Sequence, residues 1–201
     1  MRYAKSLAAV AVFCAIATAA VAQSPPIRVR GTVDTVDAHT MTVTTREGEK
    51  LPVKLAEPLS VLAVKNVELS SIQPGSYVGV ASERAPDGQL QAIEVLVFPE
   101  AARGSGEGHY DWDLKPGSSM TNATVSAAVQ GTSGRDVDLA YKGGSVKVHV
   151  PAGVPVVTFV PAERADLKAG VPIFFGATRA EDGSMTAARV IVGKDGVAPP
   201  M

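Results

Sequence analysis

The chain contains one sequence unit twice, and this repeat limits the folds that it can adopt. Residues 48–98 align without gaps with residues 143–193, at an offset of 95 positions. An earlier stretch, 31–43, aligns with 127–139 at an offset of 96. Self-similarity over this length predicts two copies of one structural unit, each large enough to form a small domain.

The repeat predicts a division of the chain into five segments. In order, these are a signal peptide (1–22), a first β-barrel repeat (27–98), an aromatic and glycine-rich inter-domain linker (99–121), a second β-barrel repeat (122–193) and a C-terminal tail (194–201).

Each copy has the pattern of an all-β unit. Apolar and polar residues alternate in five stretches of the first copy, which are 28–36, 40–45, 51–55, 77–82 and 90–98. Asp-Gly and Pro-Gly pairs between them mark tight turns. Short helices are predicted at 68–72 and 162–167. Three strands, a short helix and a strand pair predict a mainly β chain of two tandem, small, OB-like Greek-key β-barrels after a cleaved signal peptide.

The last strand of each copy predicts which of its faces is buried. Ile93, Val95 and Val97 align with apolar residues of the second copy, whereas Glu94 aligns with Arg189. A position that accepts either sign of charge is expected to face solvent, and the apolar positions are expected to form the core.

The N-terminus has the pattern of a Sec-type signal peptide. Arg2 and Lys5 precede an uncharged apolar run, and Ala20-Val21-Ala22 forms a small-x-small cleavage signal. Cleavage after Ala22 predicts a periplasmic or secreted protein, and no later apolar run is long enough to span a membrane. The one cysteine, Cys14, excludes a disulfide framework and a zinc ribbon.

The repeat resembles an uncharacterised family of exported bacterial proteins. The pieces that carry the resemblance are GTVDTVDAHTMTV, SSIQPGSYVGV, ADLKAGVPIFF, the pair PDGQLQAIEV and EDGSMTAARV, and the linker string GSGEGHYDWDLKPGSSMTNATV. These proteins carry tandem domains of unknown function that are predicted to be small OB-like β-barrels. The resemblance implies an exported tandem-barrel architecture, and it implies no established activity and no catalytic residue.

The linker is the most unusual stretch, because it contains the single tryptophan of the chain. A solvated linker has little use for Tyr110 or Trp112, so both are expected to dock against the barrels. Trp112 would then act as an apolar plug between the two domains. Phe174, which replaces Gly79 of the first copy, is expected to be either exposed or covered by the linker. Tyr110, Trp112 and Phe174 are therefore the candidate ligand- or partner-binding residues.

The same linker offers a candidate metal site. His109, Asp111 and Asp113 supply nitrogen and oxygen ligands that suit a divalent ion. Three ligands at this spacing need a preformed turn and an added partner, which favours the plug interpretation. His39 and His149 have no counterpart in the other copy, which argues against a duplicated metal site.

These observations favour a non-enzymatic periplasmic binding or scaffold protein, whose partner is a periplasmic protein or a small ligand. The sequence has no nucleophile elbow, zinc-protease motif, P-loop or dinucleotide fingerprint. The net charge of −1 argues against nucleic acid. The alternative is a divalent-metal-binding protein that uses the linker, and otherwise no cofactor is predicted. An enzyme of cell-envelope carbohydrate, using Asp136 and Asp138, ranks third.

Overall fold

The computed structural model of the protein describes residues 26–131 and 134–199, so the predicted signal peptide lies outside it. The twelve strands are β1 (Ile27–Val36), β2 (Thr40–Thr45), β3 (Lys50–Asn66), β4 (Tyr77–Arg84), β5 (Leu90–Val97), β6 (Gly108–Trp112), β7 (Ser118–Gln130), β8 (Gly134–Tyr141), β9 (Gly144–Pro151), β10 (Val156–Pro161), β11 (Pro172–Arg179) and β12 (Met185–Val192). Short 3-10 helices cover Leu69–Ser71, Glu100–Ala102 and Arg164–Asp166. Within the described ranges, no helix is long and apolar enough to cross a membrane.

The predicted all-β fold is confirmed, and five of the strands close into a first barrel. Around the ring, β1 pairs with β2, β2 with β3, β3 with β12, β12 with β11, and β11 with β1. Only the pairing of β3 with β12 is parallel. The ring is a five-stranded Greek-key barrel of the OB type, in which strands four and five come from β11 and β12. Its core includes Val33, Val43 and Phe175.

A second ring of five strands has the same order. It runs from β7 through β8, β9, β5 and β4 back to β7, and its parallel contact joins β5 to β9 at Leu90 and Gln91. Its core includes Val80, Val125 and Leu139, at positions that match the core of the first barrel.

The two barrels do not follow the predicted domain boundaries, because each takes strands from both repeats. The first barrel combines β1–β3 of the repeat at 27–98 with β11 and β12 of the repeat at 122–193. The second barrel combines β7–β9 with β4 and β5. The cause is the length of β3, which runs for 17 residues. Its register against β12 shifts between Leu55 and Ser60, and its last residues pair with β10 before the chain enters the second barrel.

A pseudo-two-fold axis relates the two repeats and passes through the point where they cross. The second half of β3 pairs antiparallel with β10, and Val64 lies opposite Phe159. These residues are 95 positions apart, which is the offset of the repeat, so equivalent residues face each other at the axis. Each repeat therefore donates its last two strands to its neighbour in the same way.

The structure corrects the alignment of the first strands. Val33 and Val125 are both buried opposite the second strand of their barrel, beside a β-bulge. They are 92 positions apart, whereas the sequence alignment matched Val33 with Val129, which is 63% exposed. The hairpin of β7 and β8 is longer than that of β1 and β2, and the sequence does not show where the extra residues are inserted.

The burial predicted for the last strands is also partly wrong. Val95, Val190 and Val192 are buried as expected, but Glu94 is only 8% exposed and Ala188 is exposed. Bulges between Ala81 and Ser82 and between Ala187 and Arg189 shift the strand register, so the simple alternation of faces breaks there.

Candidate functional site

A third apolar cluster lies between the two barrels, and part of the predicted linker covers it. The cluster, called here the inter-barrel cluster, has six buried members, which are Val64, Ala81, Leu96, Met120, Val157 and Ile191. Much of the segment at 99–121 is part of the sheet, since β6 and the start of β7 form a hairpin there. Tyr110 and Trp112, on one face of β6, pack against the inter-barrel cluster. His109 and Asp111, on the other face, are exposed.

Trp112 contacts the first barrel through two arginines of β1. The guanidinium carbon of Arg28 lies 3.9 Å from the centre of the indole ring, and that of Arg30 lies 5.5 Å from it. Asp113, the next residue, pairs with Arg30 at 2.8 Å and approaches Arg28 at 3.8 Å. The hairpin of the second barrel is thus held on the first barrel by two cation–π contacts and an ion pair.

The charge of Asp113 is stabilised by this contact. Burial alone would raise the pKa of its carboxyl group, but the hydrogen bond from Arg30 and the charges of Arg30 and Arg28 together lower that pKa below its ordinary value. The ionised carboxylate therefore favours the folded state.

Replacing Asp113 with asparagine should consequently flatten the dependence of stability on pH. Because the folded pKa is the lower one, the contribution of Asp113 is present above the pKa of the unfolded chain and is lost as the pH falls through the folded value. We expect D113N to be less stable than wild type above about pH 5 and to approach wild type below about pH 3. Urea unfolding from pH 2 to 7 measures this.

The control is Asp111→Asn, which removes an exposed carboxylate that has no ion pair among the described residues. An equal loss of stability for D113N at every pH would contradict an electrostatic role of Asp113.

Asn122 occupies in the second barrel the place that Arg30 occupies in the first. The offset of 92 positions relates the two residues, and both are almost buried. The Asn122 amide donates hydrogen bonds from Nδ2 to the carbonyl oxygen of Gly106 at 3.1 Å and to the Tyr110 hydroxyl at 2.9 Å. Its Oδ1 is buried without a hydrogen-bond partner among the described residues. The linker thus contacts the same position of both barrels, although with different chemistry.

A cleft of about 660 Å³ opens beside this contact, and we call it the inter-barrel cleft. Apolar surface dominates its walls, with Phe98 and Asn122 on the side of the second barrel and Phe174 on the side of the first. Arg28 and Arg189 also line it. Phe174 stands where the second barrel has Gly79, at which a Cβ atom would lie 2.6 Å from Asn122 Oδ1, so the second barrel has no room for a side chain at this position.

Phe174 is half-buried and has one apolar and one charged neighbour. Its ring packs against the inter-barrel cluster, and the Arg30 guanidinium lies 5.1 Å from the ring centre. The neighbouring Phe175 points into the first barrel and is 1% exposed, as its alignment with Val80 predicts. Of the three candidate binding residues, Phe174 lines the inter-barrel cleft. Tyr110 and Trp112, which belong to the linker, pack against the inter-barrel cluster.

The structure does not bring the candidate metal ligands together. His109, Asp111 and Asp113 alternate along one extended segment, so the first and last are about 13 Å apart. His109 Nδ1 lies 2.8 Å from the Thr121 hydroxyl, and Asp113 is engaged by Arg30. Across residues 26–131 and 134–199, no group of three or more histidine, cysteine, aspartate or glutamate side chains is placed to hold a metal ion.

The remaining polar candidates have local partners. Asp136 bonds to His149 at 2.7 Å across β8 and β9, and Asp138 pairs with Lys147 at 3.0 Å. His39 lies in the turn between β1 and β2, where its backbone N–H donates to Asp37. These contacts stabilise hairpins and do not converge on a cavity.

Sequence reasoning missed Arg28, Arg30 and Asn122 as site residues. The signal was the string IRVR at the start of β1, in which two arginines alternate with apolar residues and therefore share one strand face. This string lies outside the aligned part of the repeat, which begins at residue 31. Comparisons of the chain with protein families, with curated proteins and with solved structures find no match.

Proposed function

We propose that this chain is an exported, non-enzymatic binding protein whose inter-barrel cleft takes a small amphipathic anion. The observation that carries the proposal is the combination of apolar walls with two arginines in one cavity of about 660 Å³. Pockets that bind small molecules have volumes of about 300–1,000 Å³ and pair a mostly apolar lining with a few polar groups.

The chemistry of the lining argues for this class of ligand. Phe174, Phe98 and Ile191 offer apolar surface to a hydrocarbon or aromatic body. The guanidinium of Arg189 can match a carboxylate with two parallel hydrogen bonds, and Arg28, which also contacts Trp112 and Asp113, adds positive charge to the lining. The described lining residues include no acidic side chain, which disfavours a cationic ligand.

Isothermal titration calorimetry with decanoate tests the proposal, with decyltrimethylammonium as a probe of opposite charge and equal chain length. We expect decanoate to bind the wild-type protein, and the cation to bind at least about tenfold more weakly. Phe174→Ala should weaken decanoate about tenfold because it removes apolar contact area. Arg189→Ala should remove most of the preference for the anion.

Val129→Ala is the matched control, because Val129 is an exposed apolar residue that does not line the cleft. Equal decanoate affinity of wild type, F174A and V129A would overturn the proposal, as would equal affinity for the two probes.

A further inference from the structure

Within the described residues, the internal symmetry reveals a strand edge that has a neighbouring strand in the second barrel and none in the first. In the second barrel, the first half of β7 lies between two strands. Tyr77–Ser82 of β4 pair with it on one side, and β6 pairs with Ser118–Asn122 on the other. The strand β6 thus covers the part of β7 that β8 does not reach.

The corresponding part of β1 has one partner strand among the described residues. Ile27–Thr32 pair with β11, but β2 joins β1 only from Gly31 onward. At the offset of 92 positions, Arg28 corresponds to Met120, which faces Tyr110 of β6 in the second barrel. The edge formed by residues 27–29 is therefore the counterpart of the edge that β6 covers.

The backbone of this edge is oriented to bind another strand. The amide of Arg46 donates to the carbonyl oxygen of Arg30 at 3.2 Å, so the polar groups of Arg30 point toward the side of β2. Backbone groups of alternate residues point the same way in a strand, which directs the N–H and C=O of Arg28 toward that side as well. A cleft of about 410 Å³ lies along it, and we call it the β1-edge cleft.

The side chains around the β1-edge cleft favour an acidic occupant. Four arginines line it against three carboxylates; the arginines are Arg28, Arg30, Arg46 and Arg179, and the carboxylates are Glu47, Glu49 and Asp113. Asp113 is already paired with Arg30. Burial and the charge of Arg30 lower the pKa of Arg46, which indicates cations crowded together.

The second barrel also shows how an added strand would be held. There, the Glu107 carboxylate accepts a hydrogen bond from the backbone N–H of Lys142 at 2.9 Å, and the His109 ring stacks on Tyr141. The register of β2 and β8 corresponds to an offset of 96 and places Arg46 of the first barrel at the position of Lys142. The backbone N–H of Arg46 is bonded to Arg30, so a strand at the first barrel would meet the Arg46 guanidinium at this position.

We propose that the edge of β1 at residues 27–29 binds an extended peptide segment with acidic and aromatic side chains, which adds to the first barrel as β6 adds to the second. Backbone hydrogen bonds to Arg28 would provide affinity, and the arginines would select acidic residues. Arg28 lines both this site and the inter-barrel cleft, whereas Phe174 lines only the inter-barrel cleft, so F174A should weaken decanoate and leave peptide binding unchanged, which distinguishes the two proposals.

The test uses the wild-type protein and a fluorescent peptide that copies residues 106–113, GEGHYDWD. Fluorescence anisotropy should show saturable binding. Two changed peptides serve as controls, one with proline in place of the tyrosine and one with lysine in place of each acidic residue. We expect each to bind at least about tenfold more weakly, because the first loses a backbone donor and the second meets the arginines with like charge.

Amide hydrogen exchange of the wild-type protein locates the bound peptide. The Arg28 amide should exchange at least about tenfold more slowly when the peptide is present. Arg28→Ala keeps that backbone N–H and should reduce affinity moderately, whereas Arg28→Pro removes it and should abolish binding.

Three results would overturn the proposal: no saturable binding, equal binding of the proline peptide, or faster exchange of residues 108–112 without protection of Arg28. The last result would mean that the peptide displaces β6 from the second barrel. Because the readout is taken on the wild-type protein, a folding defect in R28P does not affect the conclusion.

Discussion

Truncation of Phe175 to alanine is expected to destabilise strands of the opposite repeat. Phe175 belongs to the second repeat, but its side chain fills the first barrel, where it is 1% exposed and packs with Val33 and Val43. Removing a fully buried phenylalanine ring costs about 3–5 kcal/mol, which is a large part of the stability of a typical domain. Urea unfolding measures this loss.

The location of the loss distinguishes exchanged barrels from tandem ones. Native-state amide hydrogen exchange should show that F175A weakens protection in β1 and β2 more than in β7 and β8, because the cavity forms in the barrel that contains β1 and β2. Preferential loss in β7 and β8 would contradict the exchange of strands between repeats.

Val80→Ala is the mirror-image control. Val80 occupies the equivalent position in the second barrel and is also 1% exposed, although it belongs to the first repeat. Its truncation should cost about 2 kcal/mol and should weaken β7 and β8 more than β1 and β2. Opposite protection patterns for the two variants follow directly from the strand pairing.

Four strands of the first repeat could be predicted from the sequence, but the extension of β3, the linker strand β6 and the pairing of strands between repeats could not. Alternation and the Asp-Gly turns placed β1, β2, β4 and β5 within about two residues of their observed ends. Because the two repeats present the same apolar pattern, β4 and β5 complete either barrel equally well on that criterion. The choice depends on the continuation of β3 beyond Leu55, along β12 and then β10, which the alternation of short segments does not encode.

The candidate site could be predicted where one residue type is unusual for its sequence segment. It could not be predicted where the contacts depend on strands that are distant in sequence. A tryptophan in a glycine-rich segment indicated docking, and the structure packs Trp112 between the barrels. The metal hypothesis treated His109, Asp111 and Asp113 as a turn, whereas pairing with β7 extends that segment and separates them. Arg28 and Arg30 contact Trp112 and Asp113 only when the hairpin of β6 and β7 packs on the first barrel.

Truncation of Trp112 to alanine should loosen the contact between the barrels. The ring packs on the inter-barrel cluster and provides the face on which Arg28 lies. Its loss removes apolar burial and a cation–π contact and leaves the cluster open to water. For a half-buried tryptophan we expect a loss of about 2–4 kcal/mol in the free energy of unfolding. Circular dichroism during urea unfolding measures it, since the variant has no tryptophan fluorescence.

Trp112→Phe separates the packing of the ring from its polar edge. Trp112 Nε1 is buried and has no hydrogen-bond partner within residues 26–131 and 134–199, so phenylalanine gives up no hydrogen bond. W112F should therefore retain most of the stability and lose only about 1 kcal/mol for its smaller ring. Small-angle scattering should detect a more extended particle for W112A but not for W112F. Unchanged scattering together with unchanged stability in W112A would mean that β3 and β10 alone fix the two barrels.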